Sequence, residues 1–402
     1  MQANRRQLIT IFLIIFIDLL GFGLIIPIIP FYIQNYLLDP HRVGRTIALM
    51  IALFSMMQFI FSPVWGRLSD RYGRRPILLF SLGVTACGHL LFALAGRLEL
   101  LFAARILTGI FSATVPTAMA YISDVTSAEE RAKGMGMVGA AFGLGFILGP
   151  AAGGVLSGWG GVQVPLLGAG VFSLAALIFA YFNLTETVDT ANPVKESRRR
   201  FNIANLIRAL RHPNIGILYI IFFIVSLSFS GFETVFALYL QQAFNYGSKE
   251  TGYFFALIGG THVLTQGLLI GRLSQRFGEK RLITASTLTL SVAFILMTLP
   301  KSILIFAALL IATALSLGLH NPSVNSLISK NAARDEQGGL LGISQSFSAL
   351  GRVIGPTWAG LIFDKWGPTS SFISSGALIF GAAMLSLRLY RKKLAETQTA
   401  DQ

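Results

Sequence analysis

The chain has 402 residues, of which 53% are apolar and 12% are charged, and its mean hydropathy is +0.66. Soluble domains carry about 25% charged residues, so this composition excludes an ordinary soluble domain and indicates a membrane protein. A net charge of +14 would suggest nucleic-acid binding in a soluble chain. Here the basic residues follow the membrane topology instead, and no nucleic-acid partner is expected.

Twelve apolar runs are long enough to cross about 30 Å of hydrocarbon as helices that rise about 1.5 Å per residue. The first run follows Arg5 and Arg6 and is far longer than a signal-peptide core of about 7–15 residues, so we interpret it as a retained span. The predicted spans lie near 8 to 34, 45 to 65, 76 to 96, 98 to 123, 133 to 158, 163 to 184, 213 to 242, 249 to 270, 282 to 300, 302 to 328, 338 to 363 and 368 to 390.

The basic residues predict the orientation of these spans. The two termini are predicted to lie on the same side of the membrane as the loops that follow even-numbered spans. Together these segments hold 24 Lys and Arg residues, against 6 in the loops on the opposite side. The positive-inside rule therefore predicts that both termini lie in the cytoplasm. We expect a multi-pass protein of the cell (inner) membrane. The single Cys, Cys87 in span three, excludes an internal disulfide.

A long polar segment divides the spans into six and six. We predict an N-terminal six-helix bundle at 1–184, a cytoplasmic linker at 185–212, and a C-terminal six-helix bundle at 213–402 that ends in a short cytoplasmic tail. The second part of the linker is predicted to form a short amphipathic helix at the membrane interface.

The two halves repeat each other. When they are offset by 206 residues, Gly136, Gly145, Gly149, Pro150 and Gly154 fall on Gly342, Gly351, Gly355, Pro356 and Gly360. When the offset is 205 residues instead, GRLSDRYGRR at 66–75 falls on GRLSQRFGEK at 271–280. Each half has an even number of spans, so the repeat predicts a pseudo-twofold axis along the membrane normal and a midplane cavity between the halves.

Span five contains GMVGAAFGLGFILGPAAGG, which is unusually rich in glycine for a helix in lipid. The glycines predict a smooth face for close helix packing against the facing half, and Pro150 predicts a kink; generic small-residue packing is the alternative. The overlapping GMGMVG at 134–139 has the spacing of a dinucleotide loop, but no strand precedes it, and we expect no such site. The span-five pattern G-x8-G-x3-G-P-x2-G-G uses Gly136, Gly145, Gly149, Pro150, Gly153 and Gly154.

The loop between spans two and three predicts a conformational latch, with a plain basic loop as the alternative. Gly66 would let two helices approach closely, Asp70 would lie at a helix N-terminus, and Arg74 would pair with Asp124 at the end of span four. In the second half Gln275 replaces the Asp, which predicts a weaker copy. The predicted latch comprises Gly66, Asp70, Arg71, Gly73, Arg74 and Asp124.

Four charged residues lie well inside predicted spans: Asp18, Arg105, Glu233 and Arg352. An embedded charge costs about 2.5–3.5 kcal/mol on insertion scales unless it finds a partner or water, so such residues are functional candidates. Asp18 and Glu233 are candidate proton carriers. Glu233 is favoured for linking the proton to the substrate and for binding the substrate, while Asp18 could serve a similar role or hold span one by hydrogen bonding. Arg105 either assists a proton-carrying acid or plays a structural role. Arg352 is either a counter-ion to Glu233 or Asp18, or a contact for an anionic group of a substrate.

Other residues in the spans carry weaker signals. Phe229, Phe232 and Phe236 surround Glu233 in sequence and could line a cavity for amphipathic compounds, with core packing as the alternative. His89, His262 and His320 are expected to be hydrogen-bonded packing residues.

These patterns resemble the major facilitator superfamily, and within it the twelve-span drug:proton antiporters such as the tetracycline and fluoroquinolone exporters. The resemblance implies an all-α membrane fold of two pseudo-symmetric six-helix bundles with 12 transmembrane helices. It also implies an antiporter role for the span-five pattern and proton coupling at Arg105, which stands in L-x3-R-x3-G. Asp18 is similar to a span-one Asp of the tetracycline exporters, and Glu233 to a span-seven Glu of the fluoroquinolone type. Gly88 and Leu290 stand where the tetracycline exporters have acids, which argues against recognition of tetracycline with its metal.

We therefore expect a proton-coupled antiporter that exports small amphipathic compounds, multidrug or tetracycline-like, by alternating access. A lipid or glycolipid flippase and a sugar exporter of the same fold are the alternatives. An enzyme is not expected because no HExxH, GxSxG or P-loop occurs. The expected partners are the substrate, protons and the lipid bilayer; we expect a monomer with no metal and no cofactor other than the proton gradient.

Overall fold

A computed structural model describes residues 5–37, 39, 42–126, 131–188, 210, 215–299, 302–331 and 337–390. Across these ranges the chain is almost entirely helical and forms no strand. The helices of the first half are α1 Arg5–Ile25, α2 Ile29–Gln34, α3 Val43–Tyr72, α4 Arg74–Ala93, α5 Leu98–Ile110, α6 Thr114–Val125, α7 Arg131–Gly160 and α8 Gln163–Asn183. Those of the second half are α9 Gly216–Phe244, α10 Ser248–Leu264, a π-helix at Thr265–Leu269, α11 Ile270–Phe277, α12 Glu279–Leu296, α13 Ile303–Lys330, α14 Gln337–Trp366 and α15 Pro368–Ser386.

The chain is a multi-pass membrane protein. Among the described residues, nine helical segments are long and apolar enough to cross a membrane. The other three predicted spans coincide with α7, α12 and α14, which have 30, 18 and 30 residues. The all-helical architecture predicted from the apolar runs is therefore confirmed.

Two predicted spans are broken rather than continuous. Span one divides into α1 and α2 at a turn in which Ile26 N donates to Gly23 O at 3.2 Å. Pro27 lies in this turn and has no N–H to continue the helix. Span four divides into α5 and α6 at 111–113, just before Pro116. A proline cannot donate the helical hydrogen bond to the residue four positions earlier. This explains why a proline lies within the break of span one and another follows the break of span four.

The described helices form two compact units. The first contains α1, α2, most of α3, α4–α8 and the beginning of α10 up to Gly259; the second contains the beginning of α3 at Gly44–Ala52, α9, and α10 from Gly260 through α15. Each unit thus includes a short segment from the other half of the sequence. The predicted boundaries at 185–212 stay a prediction, and the amphipathic helix predicted there lies outside the described residues.

Each unit has its own apolar core, and the two cores use equivalent helices. The first joins α1, α4, α6, α7 and α8, with Ala176 of α8 among its members. The second joins α9, α12, α13, α14 and α15, with Ala382 of α15 among its members. Ala176 and Ala382 are separated by the 206 residues of the internal repeat. The sequence repeat therefore reflects two bundles that pack by the same scheme.

Candidate functional site

A cluster of charged side chains joins the ends of α3, α4 and α6 in the first unit. Arg74 is only 8% exposed. Its Nε donates to Asp124 Oδ2 at 2.9 Å, and its Nη1 lies 2.5 Å from Asp70 Oδ1 and 2.7 Å from Ser69 Oγ. Gly73 links α3 to α4 with φ of 102°, a backbone conformation that favours glycine. The predicted pair of Arg74 and Asp124 is thus present; its role as a latch stays a prediction.

Two residues of the predicted latch make no such contacts with the described residues. A Cβ added to Gly66 would meet none of the described atoms within 4 Å, so the close helix approach predicted there has no support in this part of the chain. Arg71 is exposed, and its guanidinium lies 5.4 Å from the ring centroid of the neighbouring Tyr72. The ion pairs of the cluster therefore centre on Arg74.

Glu186 completes this cluster, and sequence reasoning missed it. Its Oε1 accepts from Arg74 N at 2.9 Å, and its Oε2 accepts from Arg75 N at 3.1 Å. A carboxylate at a helix N-terminus satisfies unpaired N–H groups and the positive end of the helix dipole. The next residue, Thr187, donates to Asp124 Oδ2 at 3.1 Å. No local pattern could have indicated this cap, because 112 residues separate Glu186 from Arg74.

The second half has an ion pair at the equivalent place, with the charges exchanged. Glu279 and Lys330, which correspond to Arg74 and Asp124 by the repeat, pair through Oε1 and Nζ. Ser326 Oγ also donates to Glu279 Oε1, at 3.1 Å. An Asp at position 275 would therefore stand one turn before Glu279 and repel it. This copy thus has one ion pair among the described residues where Arg74 has two, and the prediction that Gln275 marks a weaker copy stays a prediction.

Asp18 lies on α1 beside the break in span four. Its carboxylate interacts electrostatically with the Thr114 side chain at the start of α6. Its Oδ1 is buried and has no hydrogen-bond partner among the described residues. The broken helix thus places the N-terminus of α6 next to an embedded carboxylate, an arrangement that favours negative charge.

The break itself is held by side chains from α3 and α4. Ser81 Oγ donates to Phe111 O at 2.7 Å and accepts from Ala113 N at 3.0 Å. Trp65 Nε1 donates to Ile110 O at 2.6 Å. Backbone groups freed by a break in lipid need such partners, so the break is a built feature of the fold.

Arg105 lies on α5, before the same break, and is 4% exposed. Its guanidinium lies 4.5 Å from the ring centroid of Phe92, and it interacts electrostatically with His89. In the described part of the chain its Nε and Nη2 have no hydrogen-bond partner and it forms no salt bridge. The structure therefore does not bring Arg105 to the acid that the sequence analysis expected nearby.

Glu233 of α9 and Arg352 of α14 come together in the second unit. A Cβ added to Gly351 would lie 2.8 Å from Leu227 N, which shows how closely α14 approaches α9. Glu233 and Arg352 interact electrostatically without forming a salt bridge. Arg352 Nη1 donates to Ser348 Oγ at 2.9 Å. Of the roles left open for Arg352, that of a counter-ion to Asp18 has no support.

The phenylalanines near Glu233 differ in their surroundings. Phe232 and Phe236 are 2% and 0% exposed and stack in a cluster with aromatic residues of α12, α13 and α15. The prediction that they line a substrate cavity is therefore wrong for this structure, because they fill the core of the second unit. Phe229 is only partly buried and stacks on Phe232 at 5.9 Å. Only Phe229 remains available to a ligand.

The glycines of α7 make close backbone contacts. Gly145 and Gly149 pack against α1, where added Cβ atoms would lie 2.7 Å from Leu19 Cβ and from Gly23 Cα respectively. A Cβ on Gly154 would lie 2.6 Å from Gly252 Cα of α10. Gly153 also packs on α1, and Pro150 is included within the continuous helix. The surroundings of Gly136 lie outside the described side chains.

The three histidines of the spans are hydrogen-bonded. His89 Nδ1 lies 3.1 Å from Ser173 Oγ, and His320 Nδ1 lies 3.1 Å from Thr287 Oγ1. His262 Nε2 lies 2.9 Å from Gln266 Nε2. Within the described residues no group of three or more His, Cys, Asp or Glu side chains could hold a metal ion.

Comparisons with known proteins agree with this architecture. The family model described as Major Facilitator Superfamily matches residues 11–266 and 263–401. The chain is 31% identical over 368 residues to Multidrug resistance protein 2 of Bacillus subtilis, covering 90% of each chain. It is 32% identical over 394 residues to Tetracycline resistance protein, class E, of Escherichia coli, covering 96% of this chain and 95% of the relative. Among solved structures, the human organic anion transporter MFSD10 shares the fold, with a TM-score of 0.72, 24% identity, and coverage of 96% of this chain and all of that one.

Proposed function

Because the chain belongs to the major facilitator superfamily, we propose that it is a proton-coupled antiporter that exports small amphipathic compounds by alternating access. Relatives named multidrug and tetracycline resistance proteins, similar over nine tenths or more of the chain, support export of such compounds. The observation that carries the proposal is one embedded carboxylate in each unit, Asp18 and Glu233, neither of which forms a salt bridge in the described structure.

In this proposal the two carboxylates carry the proton. An ionised carboxylate in a membrane interior is costly unless it is paired, so each gains from binding either a proton or a cationic group of the substrate. The two ligands exclude each other at one carboxylate, which is the requirement for antiport. In the first unit, the positive charge of Arg105 would make it unfavourable for a proton and a cationic group of the substrate to be bound at the same time. A proton that enters across 100 mV supplies about 2.3 kcal/mol, and each pH unit adds about 1.4 kcal/mol.

The cluster around Arg74 and the glycine face of α7 would serve the conformational cycle. We propose that the ion pairs of Arg74 latch one state and break when the bundles rock. The contact of Gly154 with Gly252 has no side chains to interlock, which suits a surface that must separate and re-form.

The proposed setting follows from the charge distribution. The bias of Lys and Arg supports an inner-membrane protein with both termini in the cytoplasm. We propose that it acts as a monomer and needs no cofactor other than the proton gradient.

Transport by energised inverted vesicles tests this function. Addition of a substrate should release protons from the wild type, and a protonophore should abolish uptake of the compound. Glu233→Gln should abolish substrate-dependent proton release while the protein still inserts, whereas Glu99→Gln, which changes an exposed acid at the start of α5, should behave as wild type. Uptake that is indifferent to the protonophore would reject proton coupling, and normal proton release by Glu233→Gln would reject the role of Glu233.

A further inference from the structure

A cavity of about 630 Å³ lies in the first unit, at the opposite end of α4 from the Arg74 cluster. Its wall is formed by the end of α2 and by the turns that connect α4 to α5 and α7 to α8. Ligand cavities in proteins commonly measure about 300–1,000 Å³, so this one is large enough for a small molecule. The embedded Asp18 and Arg105 of the same unit do not line it. The cavity is therefore distinct from the embedded charges, and the bias of basic residues predicts that it faces away from the cytoplasm.

The tyrosines of the wall donate their hydroxyl protons to the backbone. Tyr36 Oη donates to Ala95 O at 2.6 Å, and Tyr32 Oη donates to Ala93 O at 3.0 Å. A hydroxyl has one proton, so each phenol oxygen has only lone pairs left for a further partner. Tyr36 is partly buried, whereas Tyr32 is only 2% exposed. At Tyr36 the wall can therefore accept a hydrogen bond from a ligand but cannot donate one.

The helix ends at the cavity add partial negative charge. α4 ends at Ala93 and α7 ends at Gly160, and both residues line the cavity. The C-terminus of a long helix carries about half an elementary negative charge. α8 begins at the same place, but Pro165 in its first turn has no N–H, and Val164 N already donates to Gly161 O at 3.3 Å. The described residues of the wall include no charged side chain, so the helix ends and phenol oxygens decide that a cation is favoured.

The other side chains of the wall indicate which kind of cation fits. The rings of Tyr32 and Tyr36 meet edge to face with their centroids 5.3 Å apart, and the face of a tyrosine ring attracts an organic cation. Asn35 and Gln163 are exposed residues of the wall, and their amide oxygens can accept further hydrogen bonds. A metal ion is a poor match, because the cavity is far larger than one ion and the described wall offers no carboxylate.

We propose that this cavity is a binding site for a protonated primary amine, separate from Glu233. The N–H groups of the ammonium would donate to Tyr36 Oη and to the amide oxygen of Asn35, and the carbon body would lie against the Tyr36 ring. Arg97 and Glu99 follow the wall in sequence and carry opposite charges, so their fields at the cavity largely cancel. The inference goes beyond the proposed function and holds whether or not export is coupled to protons.

Binding of two isosteric probes tests the site. 2-Phenylethylamine is protonated at neutral pH, and 2-phenylethanol has the same body with a neutral hydroxyl. Binding to purified full-length Glu233→Gln protein, in which the embedded acid of α9 is neutral, would be measured in phosphatidylcholine nanodiscs with empty nanodiscs as the blank. The amine should bind at least about tenfold more tightly than the alcohol. Asn35→Leu and Tyr36→Phe each remove one acceptor, and each should weaken binding of the amine by about tenfold.

Controls separate this inference from misfolding and from the export function. Asn35→Leu changes an exposed residue, so its effect does not depend on the internal hydrogen bond that Tyr36→Phe also removes. Tyr253→Phe removes an exposed phenol of the first unit that does not line the cavity, and should leave the affinity unchanged. Equal affinity for amine and alcohol, or unchanged amine affinity in both Asn35→Leu and Tyr36→Phe, would overturn the site. Loss of proton coupling in the transport assay would reject the proposed function and leave this result standing.

A protonated amine at this face has two sources, a free amine and the ethanolamine headgroup of a phospholipid. The trimethylated headgroup of phosphatidylcholine has no N–H to donate, so exchange of this lipid for phosphatidylethanolamine distinguishes the sources. An apparent affinity for 2-phenylethylamine that falls several-fold in phosphatidylethanolamine would assign the site to the lipid headgroup. An equal affinity in the two lipids would assign it to free amines, and either result retains an ammonium site.

Discussion

Arg74 Nε donates to Asp124 Oδ2 at 2.9 Å, and the equivalent positions of the second half, Glu279 and Lys330, form an ion pair of opposite polarity. Both pairs join the start of a helix that follows a glycine with positive φ to the end of a later helix of the same half. Because the polarity differs but the pairing persists, the contact itself, rather than the identity of either charge, is the property that the two halves share.

Weakening this contact should slow transport without changing substrate preference. The side chain of Asp70 is 63% exposed and that of Asp124 is 29% exposed, so screening reduces the Asp70 contribution more. We expect Asp124→Asn to lower the turnover number by about tenfold, corresponding to about 1.4 kcal/mol, and Asp70→Asn to lower it less. Initial rates over a range of substrate concentrations would separate turnover from KM for several compounds.

The exchange of charges provides a rescue for that experiment. The triple variant Asp70→Gln, Arg74→Glu, Asp124→Lys reproduces the arrangement of Gln275, Glu279 and Lys330 in the first half. It should recover a substantial part of the turnover that Asp124→Lys alone loses. Altered selectivity at normal turnover in Asp124→Asn would contradict the latch.

Removal of the Glu186 carboxylate should destabilise the first unit. Glu186 accepts from two backbone N–H groups at the start of α4, and loss of such a cap costs about 1 kcal/mol. Glu186→Gln should therefore lower the midpoint of thermal unfolding in detergent, and Glu186→Asp should lower it less if the shorter carboxylate still reaches one donor. The exposed Glu99→Gln serves as the control. An unchanged midpoint in Glu186→Gln would show that water replaces the cap at no cost.

The sequence predicted the helices well because hydrocarbon requires long apolar runs, and such runs are visible without any tertiary information. It did not predict the breaks at Pro27 and Pro116. Proline is tolerated inside α7 at Pro150 and inside α13 at Pro322, so its presence alone does not decide whether a helix ends. The decision depends on whether partners such as Ser81 and Trp65 lie close enough to bind the freed backbone groups.

The candidate site was predictable in part for a similar reason. Embedded charges such as Asp18 and Arg352 are rare and costly, so their positions alone identify them. Phenylalanine carries no comparable signal, because α9 is apolar on nearly all sides and its periodicity does not distinguish Phe229 from Phe236. Contacts across many residues, such as that of Glu186 with α4, need the fold itself.

Substitution of Ser81 should test whether the break in span four supports the fold. Ser81→Ala removes the hydrogen bonds of its hydroxyl to Phe111 O and Ala113 N, which keep only the bond to each other at 2.8 Å. The loss of a hydrogen bond of this kind costs about 0.5–1.5 kcal/mol. Ser81→Thr retains the hydroxyl. We expect a lowered unfolding midpoint for the Ala variant alone. Ser370→Ala, which removes an exposed hydroxyl of α15, is the matched control; equal midpoints for all three variants would show that the break has other support.

The glycine face of α7 allows the sharpest steric test, because two glycines on one helix differ in their surroundings. A Cβ on Gly154 would lie 2.6 Å from the backbone of Gly252, whereas a Cβ on Gly143 would meet no atom of the described residues within 4 Å. Backbone cannot move aside as a flexible side chain can, so Gly154→Ala should force α7 and α10 apart at a cost of about 1–3 kcal/mol. The cost should appear as slower transport and a lower unfolding midpoint, while Gly143→Ala gains helix propensity and keeps wild-type transport. If Gly143→Ala proved as harmful as Gly154→Ala, the glycines would act through helix flexibility rather than through close contact.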